Sequence, residues 1–261
     1  MTSFNEWAKN KVLLVSILIA FFTSGYCNGE TLKIGVASNF RSTLDKMVSQ
    51  FNIAHGIDVQ ISAASTGTLF AQVQNGAPFD ILFAADRLRP ALLEAEGHTR
   101  HRKTYAYGQL VFWTPKKPAS ETSFQHYKKT IAIANPKFAP YGIAAMDLLK
   151  FMKIKPKRLV YGNNVSQAFT FVRTGNASAG LVALSQVTHL NIPKDQFWAV
   201  PIEFYTPIEQ QLVVLKAASK LSELFLAHTF SSESSKLIIE SGYLSSNLVT
   251  GTPPTDVVNL P

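Results

Sequence analysis

Cysteine is almost absent from these 261 residues: Cys27 is the only one. A lone cysteine so near the start excludes a disulfide framework, a thiol nucleophile and a cysteine metal site in whatever follows it. The chain also has no Gly-x-Ser-x-Gly, no P-loop and no Rossmann glycine fingerprint, so the motif-borne hydrolase and nucleotide-binding classes find no support. Histidines number only six. His98 and His101 stand three apart, but no third ligand of fitting spacing follows, and they read as surface groups rather than a metal site. Asp80 and Asp86 flank an apolar stretch and read as structural or hinge groups, not an acid/base pair. With no catalytic set in view, the chain does not read as an enzyme.

Long hydrophobic runs are missing too. The longest, residues 12–22, is too short to span a bilayer; Lys9 and Lys11 precede it and Thr23-Ser24-Gly25 follow. A basic start, a short apolar stretch and a small-residue exit describe a secretory signal peptide over residues 1–29. Cleavage is expected between Cys27 and Glu30, and Tyr26 is too bulky for an ordinary lipoprotein site. Charged residues make up only 16% of the chain, with a formal net charge of +8. The basic cluster Arg100-His101-Arg102-Lys103 lacks interleaved aromatics and reads as solvated surface. Together with export, that argues against nucleic acid as a partner.

What is present is a 46% hydrophobic chain in which strand-like runs alternate with amphipathic helices. Residues 32–37 read as a strand, and the next helix carries Leu44, Met47, Val48 and Phe51 on one face. Residues 57–62 are a second strand, and residues 80–85 are a continuous apolar run of the kind that a buried parallel strand shows. Another strand at 109–113 precedes a second series. In it, strands at 130–134, 158–161 and 179–184 alternate with a helix opened by Pro140 and another that faces Ala168, Phe171 and Val172 inward. A strand at 209–215 and helices around 221–230 and 233–241 end the pattern. The fold class is α/β with right-handed crossovers.

Four times a strand-like run breaks into small or hydroxyl residues and opens a helix: Val36-Ala37-Ser38-Asn39, Ala64-Ser65-Thr66-Gly67, Ala139-Pro140-Tyr141-Gly142 and Asn163-Asn164-Val165-Ser166. Each leaves free backbone N–H groups at a helix start, where the dipole favours negative charge. Ser38 and Thr66 add hydroxyls, Asn39 an amide and Tyr141 a phenol. Brought together, these ends form an uncharged cage of donors suited to one tetrahedral oxyanion. Gly67 and Gly142 allow close approach. Tyr141 is an odd choice for its place, being neither a good cap nor at the helix's apolar spacing.

The same stretches carry a resemblance. Val36-Ala37-Ser38-Asn39-Phe40, Ser65-Thr66-Gly67-Thr68-Leu69, the run from Gly76 to Asp86, Gly162-Asn163-Asn164-Val165-Ser166-Gln167-Ala168, Gly180-Leu181-Val182-Ala183-Leu184-Ser185-Gln186 and Pro207-Ile208-Glu209-Gln210 resemble the periplasmic molybdate-binding proteins of ABC transporters. That resemblance implies the two-lobed type II periplasmic binding-protein fold, each lobe a mainly parallel sheet flanked by helices. Lobe 1 would be residues 31–110 and 207–247, lobe 2 residues 111–206, and residues 248–261 a C-terminal tail. It implies Ser38, Asn39, Thr66, Tyr141 and the Val165 N–H as molybdate ligands, with no direct cation ligand and no cofactor. Molybdate or tungstate would be the cargo, a membrane ABC permease the partner, the periplasm the location, and a monomer the working form. Some members carry a tyrosine at the position matching Ala183 instead of Tyr141, and threonine at position 66 adds a methyl to the common serine. The rival readings are a receptor for another oxyanion such as sulfate, an exported enzyme acting on phosphorylated or sulfated substrates, and a membrane-attached sensor.

Overall fold

Strand β3, Ile81–Ala84, is buried at every residue because its sheet is covered on both faces. Ile81 and Phe83 point into one apolar cluster, Leu82 and Ala84 into another. The computed structural model describes residues 31–246. The expected signal peptide with Cys27, and the expected tail at 248–261, lie outside the described residues.

The first sheet contains β1 (Leu32–Ala37), β2 (Val59–Ala64), β3, β4 (Thr99–Gly108), β10 (Ile208–Leu215) and β11 (Leu244–Ser245), in the order β11-β4-β10-β3-β1-β2. Strands β2, β1 and β3 run parallel, joined by helices α1 (Arg41–His55) and α2 (Thr66–Gln74); β10 then pairs antiparallel with both β3 and β4. Helix α1 buries Leu44, Met47, Val48 and Phe51 as their spacing requires. It ends where Gly56 takes φ 65° and returns its N–H to Asn52 O, a left-handed turn that glycine adopts without steric cost.

The second sheet has the order β7-β6-β8-β5-β9. Its strands are β5 (Leu110–Trp113), β6 (Thr130–Ala134), β7 (Arg158–Gly162), β8 (Ala179–Ala183) and β9 (Phe197–Ala199). Its parallel core, β7-β6-β8, is bridged by α5 (Pro140–Phe151) and α6 (Val165–Arg173), with α4 (Glu121–Gln125) before β6 and α7 (Leu184–His189) after β8. The chain passes from the first sheet to the second through Gln109 alone and returns between Ala199 and Ile208, so Leu110 already belongs to the second sheet. From Thr31 on, both sheets are part of one compact unit.

Three local expectations change. Residues 99–108 form a ten-residue strand that the sequence pattern hides, because Arg100, Arg102 and Lys103 break its apolar alternation. Those charges are held rather than free. Arg102 Nη2 lies 2.7 Å from Glu94 Oε2 on α3 (Leu88–Ala95), and Arg100 Nη2 donates to Ala218 O at 2.9 Å and to Ser222 Oγ at 3.1 Å. Lys103 Nζ sits 4.1 Å from the centre of the Phe230 ring. In α6 the fully inward aromatic is Phe169, stacked on Trp113 at 4.5 Å, while Phe171 is only partly buried. The second strand begins at Val59 rather than residue 57. Helices α8 (Leu221–Thr229) and α9 (Ser232–Glu240) pack on the first sheet through Phe225 and Ile238.

Candidate functional site: an uncharged anion cage between the sheets

All four strand-to-helix junctions meet at one small cavity. Its walls include Ser38, Asn39, Thr66, Tyr141 and Val165, together with Ala37, Ser65, Ala85, Ala139, Pro140 and Asn164. None of these carries a Lys, Arg, His, Asp or Glu side chain. Local chemistry explains how each junction is held. The Ser38 N–H closes the end of β1 onto Ala64 O at 2.9 Å, and Phe40 N turns back to Ala37 O at 2.8 Å. Ser65 caps α2 by accepting from Thr68 N, Asn164 caps α6 by accepting from Gln167 N, and Pro140 opens α5 with no N–H to satisfy.

After these bonds are made, the backbone N–H groups of Asn39, Thr66, Tyr141 and Val165 have no acceptor among the described residues. Three are first-turn helix groups, which have no intrahelical partner by construction. Hydroxyls join them. Thr66 Oγ1 accepts from Ala85 N at 2.9 Å, leaving its own proton to donate. The Tyr141 hydroxyl is buried and has no protein partner, and Ser38 Oγ makes no bond within the protein. Burial, and then the nearby phenols of Tyr243, Tyr205 and Tyr105, push the Tyr141 hydroxyl well above its ordinary pKa. Tyr141 therefore remains a proton donor at neutral pH.

Two residues behave differently from their sequence reading. Asn39 reaches the cavity, but both protons of its amide are engaged elsewhere: Nδ2 donates to Gln210 Oε1 at 2.9 Å and to the Tyr243 hydroxyl at 3.1 Å. What it offers at the cavity is its backbone N–H. Tyr141 does lie on the apolar face of α5, in line with Ala144, Ala145 and Leu148, and its ring belongs to the core of the second sheet. It packs and presents a hydroxyl at once, which the helical spacing allows because 141, 145 and 148 share one stripe. Ala85, just past β3, and the supporting pair Gln210 and Tyr243 carried no local signal. They come into contact with the cavity residues only through sheet order.

The cavity is small. Its empty space, counting the part open to solvent, is about 190 Å³, below the roughly 300–1,000 Å³ of organic-ligand pockets. The glycines expected to allow close approach do so. A Cβ on Gly67 would lie 2.9 Å from Phe138 O across the cleft, and Gly67 N donates to that same oxygen at 2.8 Å.

Thr66 makes a checkable case. Thr66→Val keeps the shape but removes a hydroxyl that serves Ala85 N and faces the cavity. Leaving a buried N–H unpaired costs about 1–3 kcal/mol. Denaturant unfolding should show that loss in Thr66→Val, while Thr66→Ser stays near the parent.

Two sheets joined by two crossings, with an uncharged donor cage between them, have the architecture of a two-lobed binding protein. The comparisons agree. The family described as bacterial extracellular solute-binding protein matches residues 32–244. The molybdate-binding protein ModA of Azotobacter vinelandii is 40% identical over 194 residues, covering 70% of this chain and 77% of that protein. ModA of Rhodobacter capsulatus is 33% identical, covering 80% and 86%. The solved Azotobacter vinelandii periplasmic molybdate-binding protein superposes with a TM-score of 0.77 at 33% identity, covering 82% of this chain and 98% of that one. The chain belongs to the family of periplasmic molybdate-binding proteins.

Proposed function

We propose that this chain is the exported receptor that captures molybdate and hands it to a membrane ABC importer, and that it also accepts tungstate. One observation carries the reading to the chemistry: four unpaired backbone N–H groups and three hydroxyls around one small cavity, with no charged side chain in its wall. A fully ionised tetrahedral oxyanion accepts at every oxygen and donates at none, which is the complement of such a wall. Our reading of the ligands is Ser38 and Thr66 through hydroxyls, Tyr141 through its phenol, and Asn39, Thr66, Tyr141 and Val165 through backbone N–H groups. The first-sheet part of the chain, residues 31–109 with 207–246, and the second-sheet part, residues 110–206, act as two lobes that close on the anion, and closure is what the permease recognises. In this reading the leader directs the chain to the periplasm, where it works as a monomer without a cofactor and without nucleic acid.

Calorimetric titration of the purified protein with molybdate, tungstate, sulfate and phosphate tests it. Molybdate and tungstate are expected to bind at least about tenfold more tightly than sulfate, because a smaller anion leaves donors of a fixed cage unpaired at about 1–3 kcal/mol each. Phosphate is disfavoured further, since its protonated form presents an O–H that the backbone N–H groups of the wall cannot accept and only the hydroxyls could take, at the loss of their own donation. Equal affinity for sulfate and molybdate would overturn the molybdate assignment.

A further inference from the structure

The turn between β1 and α1 presents its N–H side to the cavity, while its carbonyls are held from the other side of the cleft. Ser166 Oγ donates to Ser38 O at 3.2 Å, and Ser185 Oγ donates to Asn39 O at 2.9 Å. Ser166 lies in the first turn of α6 and Ser185 in the first turn of α7, both built on the second sheet. Gln186 braces the first of these: its Nε2 donates to Ser166 Oγ at 3.1 Å, and its Oε1 accepts from Ala183 N at 3.1 Å.

The chemistry of the turn makes these bonds more than packing. Ser38 C=O and Asn39 N–H are two ends of one planar peptide group. A donor on the carbonyl polarises the N–H at the far end, and chains of such bonds reinforce one another in a low-dielectric interior. The Asn39 carbonyl is approached by two hydroxyls, Ser185 from the second sheet and Tyr243 at 2.8 Å from beside β11 in the first. One bond crosses the cleft and the other does not.

We propose that Ser166 and Ser185 are positioning residues that latch the second lobe onto the anion-binding turn, holding the cleft shut without touching the anion. The proposal rests on the reading of the chain as a molybdate receptor whose lobes close. Bonds of this kind exist only when the lobes meet. They therefore act on release rather than on capture, and they contribute nothing to the stability of either lobe alone. Ser185→Ala leaves Asn39 O its bond from Tyr243, so that carbonyl is not orphaned; the variant also removes the 3.1 Å contact of the Tyr243 hydroxyl with Ser185 Oγ, which crosses the cleft as well. Ser166→Ala removes the other bond, and Ser166→Thr restores the hydroxyl.

The experiment is stopped-flow measurement of molybdate association and release on the purified protein and these variants, with thermal unfolding in the absence of molybdate. Ser185→Ala and Ser166→Ala are each expected to raise the release rate about fivefold to tenfold, the loss of one hydrogen bond. Association rates and unliganded melting temperatures should stay at parent values, and Ser166→Thr should restore slow release. Release rates within twofold of the parent in both alanine variants would overturn the latch while leaving the receptor reading intact. So would faster release matched by an equal loss of thermal stability, which marks a folding role. Failure of the unmodified protein to bind molybdate would overturn the receptor reading and the latch with it.

Discussion

Tyr141→Phe is expected to weaken molybdate binding by about ten- to a hundredfold while leaving the unliganded protein as stable as before, or slightly more so. The two effects have opposite signs because the hydroxyl is buried with no protein partner. In the empty protein such a group is a cost, since an unsatisfied buried donor is worth about 1–3 kcal/mol of destabilisation. With an oxyanion present, the same group makes a hydrogen bond to charge worth about 1.5–3 kcal/mol. The ring stays in the core of the second sheet beside Leu148 and Ala145, so the substitution leaves packing alone. Calorimetry and thermal unfolding of the same preparation separate the roles. Unchanged molybdate affinity would remove the phenol from the site.

Gly142→Ala should cost the most stability of any single change at the site. Gly142 is the third residue of α5, and a Cβ there would press into Ala134 O at the end of β6 and lie 2.8 Å from Pro136 N. Both neighbours are backbone, so no side chain can turn aside. Overpacking against a fixed wall costs about 1–3 kcal/mol and occasionally more, and this contact belongs at the upper end, about 3 kcal/mol or above. The start of α5 has to shift outward, carrying the Tyr141 N–H away from the cavity. Urea unfolding should show the stability loss, and titration a parallel loss of molybdate binding. A variant as stable as the parent would show that the helix start can slide without cost.

Much of the frame was legible because it rests on short-range rules. The strands at 32–37 and 130–134, the face of α1 and its stop at Gly56 follow from alternation, 3.6-residue spacing and the freedom of glycine. Strand β4 was not legible, since Arg100, Arg102 and Lys103 look like solvated surface. Only the partners Glu94, Ser222 and Phe230, drawn from distant elements, give those charges a reason to lie along a strand. Phe169 and Phe171 are both close enough to the inward stripe of α6, and the ring of Trp113 decided between them.

By itself the sequence determined where strands give way to helices, that four of these junctions carry hydroxyl, amide or small residues, and that no charged side chain lies within the stretches 36–39, 64–67, 139–142 and 163–166. Those are local properties, because a helix start leaves its first N–H groups unpaired wherever it occurs. Which donors stay free for a ligand was decided by the tertiary structure alone. Asn39 loses both amide protons to Gln210 and Tyr243, residues more than 170 positions away, and keeps only its backbone N–H for the cavity. Tyr141 keeps its hydroxyl unpaired although Gly108 of the first sheet lies against it, and the serines of α6 and α7 take the carbonyls of the turn between β1 and α1. A free donor is what remains after every other bond in the fold has been made, and that remainder exists only once the two sheets have met.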